Sequence, residues 1–231
     1  MKNVGILGPG NIANRVAKGV LCSEKANLYA VASRKIENAK SFADKYGVEN
    51  YYGSYEEMLN DPDVDLVYIC TPNIFHYEQI KLCLFHGKHV ICEKPMVKDE
   101  ARVRELFALA REKGCFLMEA EKTMFTPLNR KIKGMIAEGE IGKLHTIRAR
   151  YCSNGLDGLP EDHWVLGEEF GGCTYDIGVY PICVSHFYAD SKMKEIQAIN
   201  AARKEGIAKG MSIEEAMEKW KAIEDVPEEF K

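Results

Sequence analysis

Val4-Gly5-Ile6-Leu7-Gly8-Pro9-Gly10-Asn11-Ile12-Ala13 is the stretch whose reading decides the fold. The apolar run Val4, Ile6, Leu7 stops at Gly8-Pro9-Gly10. Apolar positions then recur at Ile12, Ala13, Val16, Ala17 and Val20, so the period changes from that of a strand to that of a helix across the glycines. Gly8 permits the tight turn, Gly10 lets a pyrophosphate approach the backbone, and Ala13 takes the third position of G-x-G-x-x-G/A, where helix and strand pack closely. Phosphates would rest on the free N–H groups and positive end of that helix, which makes Gly8, Gly10, Asn11 and Ile12 candidate cofactor contacts. In a chain with 19 glycines the pattern alone arises by accident in roughly one case in four. Its setting carries the reading: a strand from residue 2, a helix, then a second apolar run over residues 28–32 make the βαβ unit the motif requires.

The same alternation continues. An amphipathic helix is predicted over Ile36–Tyr46, with Ile36, Ala39, Phe42, Ala43 and Tyr46 on one side, then a short strand near Tyr51 and a helix opened by the S-x-x-E box of Ser54 and Glu57. Residues 64–70 form a continuous apolar run, as expected of a parallel strand covered on both faces, and Pro72 ends it. A helix over 74–85, a strand over 89–92, a helix capped by Asp99 with Val103, Leu106, Phe107 and Ala110 inward, and a strand over 115–118 follow. This is the grammar of an α/β, doubly wound parallel sheet of the Rossmann kind with right-handed crossovers. Beyond Phe125 it changes: a helix over 128–138, an alternating run over 144–151 that reads as a half-buried strand of a different sheet, and a polar glycine-rich loop over 154–172. A helix over 176–188, a strand over 195–200 and an amphipathic helix over 212–223 complete the chain. The expected organisation is a dinucleotide-binding domain over 1–122 and a smaller α+β domain over 123–231 with an incomplete antiparallel sheet.

Composition narrows the function. A formal net charge of -4 over 231 residues gives no reason to expect a nucleic-acid partner. No apolar run approaches the length needed to span a bilayer, and Met1-Lys2-Asn3 leads straight into the first strand, so a cytoplasmic protein with a small-molecule substrate is expected. The eight cysteines stand singly, mostly inside apolar runs, and read as reduced core thiols. The six histidines lack ligand spacing, so no metal is expected.

Ligands of open α/β sheets bind at the carboxyl ends of the strands. Ser33-Arg34, Thr71-Pro72-Asn73 and Glu93-Lys94-Pro95 should therefore face one crevice with the glycine turn. Where an NAD site offers a carboxylate to the ribose, this chain has Ser33, Arg34 and Lys35. A hydroxyl and a guanidinium suit a 2′-phosphate, and no acid stands there to repel one, which favours NADP over NAD. His76, near a helix start, either borders the nicotinamide or sits on the surface; His163 reads as inert.

Taken together, several segments resemble the Gfo/Idh/MocA family of oxidoreductases. They are residues 8–13, Ala32-Ser33-Arg34, Thr71-Pro72-Asn73-Ile74-Phe75-His76, Glu93-Lys94-Pro95, residues 116–120, and Gly171-Gly172-Cys173-Thr174-Tyr175-Asp176-Ile177-Gly178-Val179-Tyr180-Pro181. The resemblance implies hydride transfer between a nicotinamide and a carbinol or carbonyl carbon of a sugar, polyol or diol, in a homo-oligomer. By position it implies that Lys94 contacts the nicotinamide ribose and the substrate oxygen, and that Asp176 and Tyr180 line the substrate pocket. Tyr180 matches the tyrosine form seen in the dihydrodiol dehydrogenase and glucose-fructose oxidoreductase branches, and is the expected acid/base. A phenol ordinarily titrates about two pH units too high for this work, roughly 2.7 kcal/mol. An ammonium about 4 Å away supplies about 4 kcal/mol at an effective dielectric near 20, before desolvation. Bland uses stand beside these: Asp176 as a helix cap, Tyr180 as a packed aromatic, Lys94 as a solvated strand-end charge.

Members of the family are expected to carry a larger second-domain sheet than the two strand candidates here, 144–151 and 195–200. The resemblance ends after Ala201. Two readings follow: an active oxidoreductase with a shortened second domain, or an inactive or regulatory NAD(P)-binding protein whose pocket admits water.

Overall fold

The computed structural model of the protein describes residues 1–152, 160, 163–167 and 170–189, all within one compact unit, Met1–Asp190. Six strands, β1 (Lys2–Leu7), β2 (Ala26–Ala32), β3 (Asn50–Tyr52), β4 (Leu66–Ile69), β5 (His89–Cys92) and β6 (Leu117–Glu119), form one sheet in the order β3-β2-β1-β4-β5-β6. Every pair is parallel. That is the doubly wound order with its reversal between β1 and β4, the place where such sheets bind ligands.

Each strand alternates sides, so Ile6 and Leu7 feed different cores. On one face, α1 (Asn11–Leu21) and α2 (Ile36–Tyr46) bury Ala13, Ala17, Ala39, Phe42 and Ala43 against Ile6, Leu28 and Val31. On the other, α4 (His76–Phe85) and α5 (Glu100–Glu112) bury Ile80, Leu84, Leu106 and Ala110 against Leu7, Ala30, Val67, Ile69 and Val90. The small alanines of α1 let it lie close to the sheet directly after the glycine turn. Ile36, expected on the inner side of α2, is instead exposed, because it stands in the first position of the helix, beyond the edge of the core.

Local signals behave as their chemistry requires. Ser54 Oγ accepts from Glu57 N at the start of α3 (Tyr55–Asn60), while the Glu57 carboxylate reaches back to Gly53 N, one residue further than the usual reciprocal box. Asp99 accepts from Arg102 N at the head of α5. Of the cysteines, all of them free, only Cys70, Cys83 and Cys92 are fully buried; burial pushes the Cys83 thiol up to about 12.

After β6 come a 3-10 turn (Lys122–Phe125), α6 (Pro127–Ala137), a π-turn (Thr174–Gly178) and α7 (Val179–Ala189). One expectation fails here: residues 144–151 form no strand. An alternating run becomes a strand only when a neighbour completes its ladder, and no described residue lies beside it as one. Its expected partner, 195–200, falls outside the described residues, as does the helix expected over 212–223. No helix among the described residues is long and apolar enough to cross a membrane.

Leu84 has no exposed surface and stands at the centre of the α4–α5 face. Leu84→Ala is expected to lower the unfolding free energy by about 2–5 kcal/mol, measured by urea denaturation, with the denaturant slope unchanged.

Candidate active site

The glycine turn is built for close approach. Gly8 has φ +89°, and a Cβ there would meet Thr71 Cγ2 at 2.7 Å, so a side chain is excluded by both backbone and space. A Cβ on Gly10 would find only the Cys70 carbonyl, at 3.8 Å, leaving the space beyond it open. No side chain caps α1 and no acid stands in its first turn. The amides at Asn11 and Ile12 and the positive helix end therefore present an anion seat.

At the end of β2, Ser33 is buried and its Oγ accepts from Lys35 N, which fixes the turn. Arg34 lies 5.6 Å from the Phe75 ring centroid and borders a cavity of about 330 Å³ lined also by Gly53, Ser54, Tyr55 and Glu56. Burial pushes the Tyr55 phenol up and the Arg34 guanidinium opposes it. The end of β2 itself carries no carboxylate, and the cavity that Arg34 borders is shared with the acid Glu56.

The ends of β4 and β5 are locked together by a histidine. His76 is 1% exposed, with Nδ1 3.0 Å from the Pro95 carbonyl and Nε2 2.9 Å from the Thr71 carbonyl. Burial pushes its pKa down against those carbonyls. The surface expectation fails, because His76 is buried with both ring nitrogens against backbone oxygens, and the neutral ring that burial favours donates to one of the two carbonyls. Thr71 Oγ1 donates to Gln79 Oε1 at 2.5 Å, and Pro72 leads into the 3-10 turn Asn73–Phe75. Asn73 is buried; its Nδ2 donates to the Phe170 carbonyl at 2.9 Å, while its Oδ1 has no partner among the described residues. An orphaned buried acceptor on this edge is a place for a ligand donor.

Lys94 draws the later part of the chain onto the sheet edge. Its Nζ donates to the Asp176 carbonyl at 2.5 Å and to Asp176 Oδ1 at 3.1 Å, and lies 4.8 Å from the Tyr180 ring centroid. The Lys94 side chain is 12% exposed, so this ion pair is screened far less than a surface one. Asp176 lies in the π-turn and holds Lys94 with both backbone and carboxylate. Glu93 accepts from Tyr68 Oη at 3.0 Å and from Lys94 N at 3.3 Å. Burial pushes its carboxyl above the usual carboxylate range, opposed by those hydrogen bonds and by the charges of Lys94 and Lys122.

Sequence reasoning looked to the ends of β2, β4 and β5 and passed over β6. Its end carries Glu119, Glu121 and Lys122. Glu119 Oε1 accepts from Met96 N at 2.7 Å, holding the turn after Lys94, and burial raises its carboxyl. Lys122 Nζ donates to Tyr180 Oη at 2.9 Å. Both ammonium groups lie over the phenol ring, Lys122 at 4.1 Å and Lys94 at 4.8 Å from its centroid, and Lys122 alone of the two reaches its oxygen. Tyr151, from the run misread as a strand, stacks on Tyr180 at 5.4 Å and 27°. The signal was available, since the rule that places Lys94 on the crevice places the end of every parallel strand there.

A sheet in this order with this turn defines a dinucleotide-binding protein of the Rossmann type. The profile of the oxidoreductase family with an NAD-binding Rossmann fold matches residues 2–121, and that of the GFO/IDH/MocA C-terminal domain matches residues 129–220. The chain belongs to the Gfo/Idh/MocA family of oxidoreductases.

Trans-1,2-dihydrobenzene-1,2-diol dehydrogenase of Bos taurus is 37% identical over 181 residues, 78% of this chain and 53% of that protein. Its Mus musculus counterpart is 35% identical over 213 residues, 90% of this chain and 63% of that protein. The chain thus spans little more than half to just under two thirds of these relatives. Among solved structures, KijD10, a 3-ketoreductase from Actinomadura kijaniata in complex with NADP and TDP-benzene, superposes with a TM-score of 0.69 at 33% identity, covering 81% of this chain and 57% of that one. A putative myo-inositol dehydrogenase from Sinorhizobium meliloti does so with a TM-score of 0.69 at 26% identity, covering 83% and 56%.

The raised carboxyl of Glu119 has a measurable consequence. It binds its proton more tightly folded than unfolded, so its contribution to stability is full below the ordinary value of 4.5 and is lost as pH rises through the raised folded value. Glu119→Gln, which keeps an acceptor for Met96 N, is expected to flatten the fall in stability above pH 4.5. Urea unfolding at intervals from pH 4 to 8 measures it.

Proposed function

We propose that this chain is an NADP-dependent oxidoreductase acting on the carbinol or carbonyl carbon of a sugar, polyol or diol. The observation that carries the reading is the meeting, on one sheet edge, of the side-chain-free glycine turn with Lys94, Asp176 and Tyr180. Structural relatives crystallised with NADP and relatives named as diol dehydrogenases support it. The nicotinamide, when bound, supplies or accepts the hydride. Gly8, Gly10, Asn11 and Ile12 would hold the pyrophosphate, and Ser33 with Arg34 the 2′-phosphate. Thr71, Pro72, Asn73 and Glu93 would border the nicotinamide half.

Lys94, held by Asp176, would orient the substrate oxygen through its ammonium. Tyr180 would give a proton to that oxygen in reduction and take it in oxidation. The division into 1–122 and 123–231 belongs to the same proposal, supported by the two matched segments. Assembly as a homo-oligomer in the cytoplasm belongs to it as well.

The test is NADPH oxidation against a panel of sugars, hydroxy-ketones, diketones and trans-dihydrodiols. Tyr180→Phe and Lys94→Met are each expected to lower kcat by about a hundred- to ten-thousandfold, with NADPH still bound by Tyr180→Phe in a fluorescence titration. Tight NADPH binding with no turnover anywhere on the panel would leave a binding protein in place of an enzyme.

Cofactor choice is tested separately. A charge-assisted contact contributes about 1.5–3 kcal/mol, so Arg34→Ala is expected to weaken NADPH binding by about ten- to a hundredfold and to leave NADH nearly unchanged, read from paired titrations.

A further inference from the structure

We propose that Lys122 is a positioning residue for the phenol of Tyr180, acting as its hydrogen-bond donor and as a second ammonium beside the one on Lys94. This rests on the reading of Tyr180 as the acid/base. Lys122 Nζ lies 2.9 Å from Tyr180 Oη and 4.1 Å from the ring centroid; Lys94 Nζ lies 4.8 Å from the same centroid. The two cations come from the ends of adjacent strands, β5 and β6.

Lys94 is already matched by the Asp176 carboxylate, whereas Lys122 has no carboxylate within ion-pair distance among the described residues. The polar atom its ammonium meets is the phenol oxygen.

The local backbone aims it there. Glu121 is 1% exposed; its Oε1 accepts from Thr123 N at 3.0 Å and also from Thr123 Oγ1, which pins the turn on both sides of Lys122. Asn129 Nδ2 donates to the Thr123 carbonyl at 2.7 Å, and Tyr188 Oη donates to Asn129 Oδ1 at 2.7 Å. That chain of bonds ties α7, which carries Tyr180, to the turn that carries Lys122.

An ammonium has donors and no acceptor, so in this pair the phenol oxygen must accept. One lone pair of Tyr180 Oη is thereby taken, and its own hydrogen is turned away from Lys122, free for a substrate oxygen. In reduction the Tyr180 O–H bond breaks and an O–H bond forms on the substrate oxygen; Lys122 keeps its protons throughout. The other groups facing this phenol are Lys94 with Asp176 and Glu93 behind it, and the Tyr151 ring. Glu119 and Glu121 face Cys183 on α7, whose thiol is pushed up to about 11 by burial and then by those two carboxylates.

The experiment uses the full chain carrying 13Cζ-labelled tyrosine, with no cofactor or substrate, and assigns the Tyr180 resonance by its loss in Tyr180→Phe. Lys122→Met is expected to shift that resonance and to leave the other tyrosine signals in place, and Lys122→Arg to keep it near the wild-type position. In turnover, Lys122→Met should lower kcat by about tenfold or more and change KM by less than about threefold.

An unmoved resonance in a folded Lys122→Met protein would overturn the pairing. So would turnover that depends on Tyr180 but keeps its kcat in that variant. A shifted resonance, restored by arginine, in a protein that turns over nothing would uphold the pairing and sink the enzymatic reading.

Discussion

All six strands run the same way, and that single constraint assembles the site. A parallel sheet delivers every strand end to one edge, so residues from 8 to 122 converge although the chain separates them widely. The convergence needs a further contact to become a pocket, and the Lys94–Asp176 pair supplies it. Lys94 comes from the sheet and Asp176 from the π-turn before α7. By accepting on both its carbonyl and its carboxylate, Asp176 sets the orientation of the turn, and the helix that follows carries Tyr180 over the edge.

Charge on this edge is arranged in layers. Glu93, Glu119 and Glu121 lie inward, held by Tyr68, by Met96 N and by Thr123, and the first two carboxyls are raised by burial. Lys94 and Lys122 lie outward of them, beside the phenol. Buried acids under two ammonium groups keep the lysines from facing a wholly apolar interior, which would disfavour their charge. Lys94, 12% exposed, meets Asp176 where water is partly excluded, and that ion pair is strengthened relative to bulk solvent, whereas the hydrogen bond from Lys122 to the phenol is exposed.

The relatives add a boundary to this picture. The similarity to diol dehydrogenases and to KijD10 runs through both matched segments, yet the chain covers little more than half to under two thirds of those proteins. The sheet edge, the π-turn and α7 that meet at Lys94 all lie within Met1–Asp190.

Much of the N-terminal half was legible because its signals are local. The change of period at Gly8-Pro9-Gly10, the caps at Ser54 and Asp99, and the apolar runs of β1 and β4 each act within a few residues, and Ile36–Tyr46 has the predicted bounds. The run over 144–151 was misread because alternation describes a willingness to pair and is silent about a partner. His76 was misplaced for a related reason. A histidine near a helix start looks available until the Thr71 and Pro95 carbonyls are seen to close on both of its nitrogens.

By itself, then, the order of residues determined the parallel sheet, its glycine turn and the place of Lys94 at a strand end, since periodicity and strand ends are properties of short stretches, while Asp176 and Tyr180 were candidates through the family resemblance alone. Only the tertiary structure decided which ammonium meets which part of the phenol. Lys94 and Lys122 are 28 positions apart in sequence and Tyr180 another 58 beyond, and a contact between side chains so separated is fixed by how a helix docks on a sheet. No local pattern encodes that.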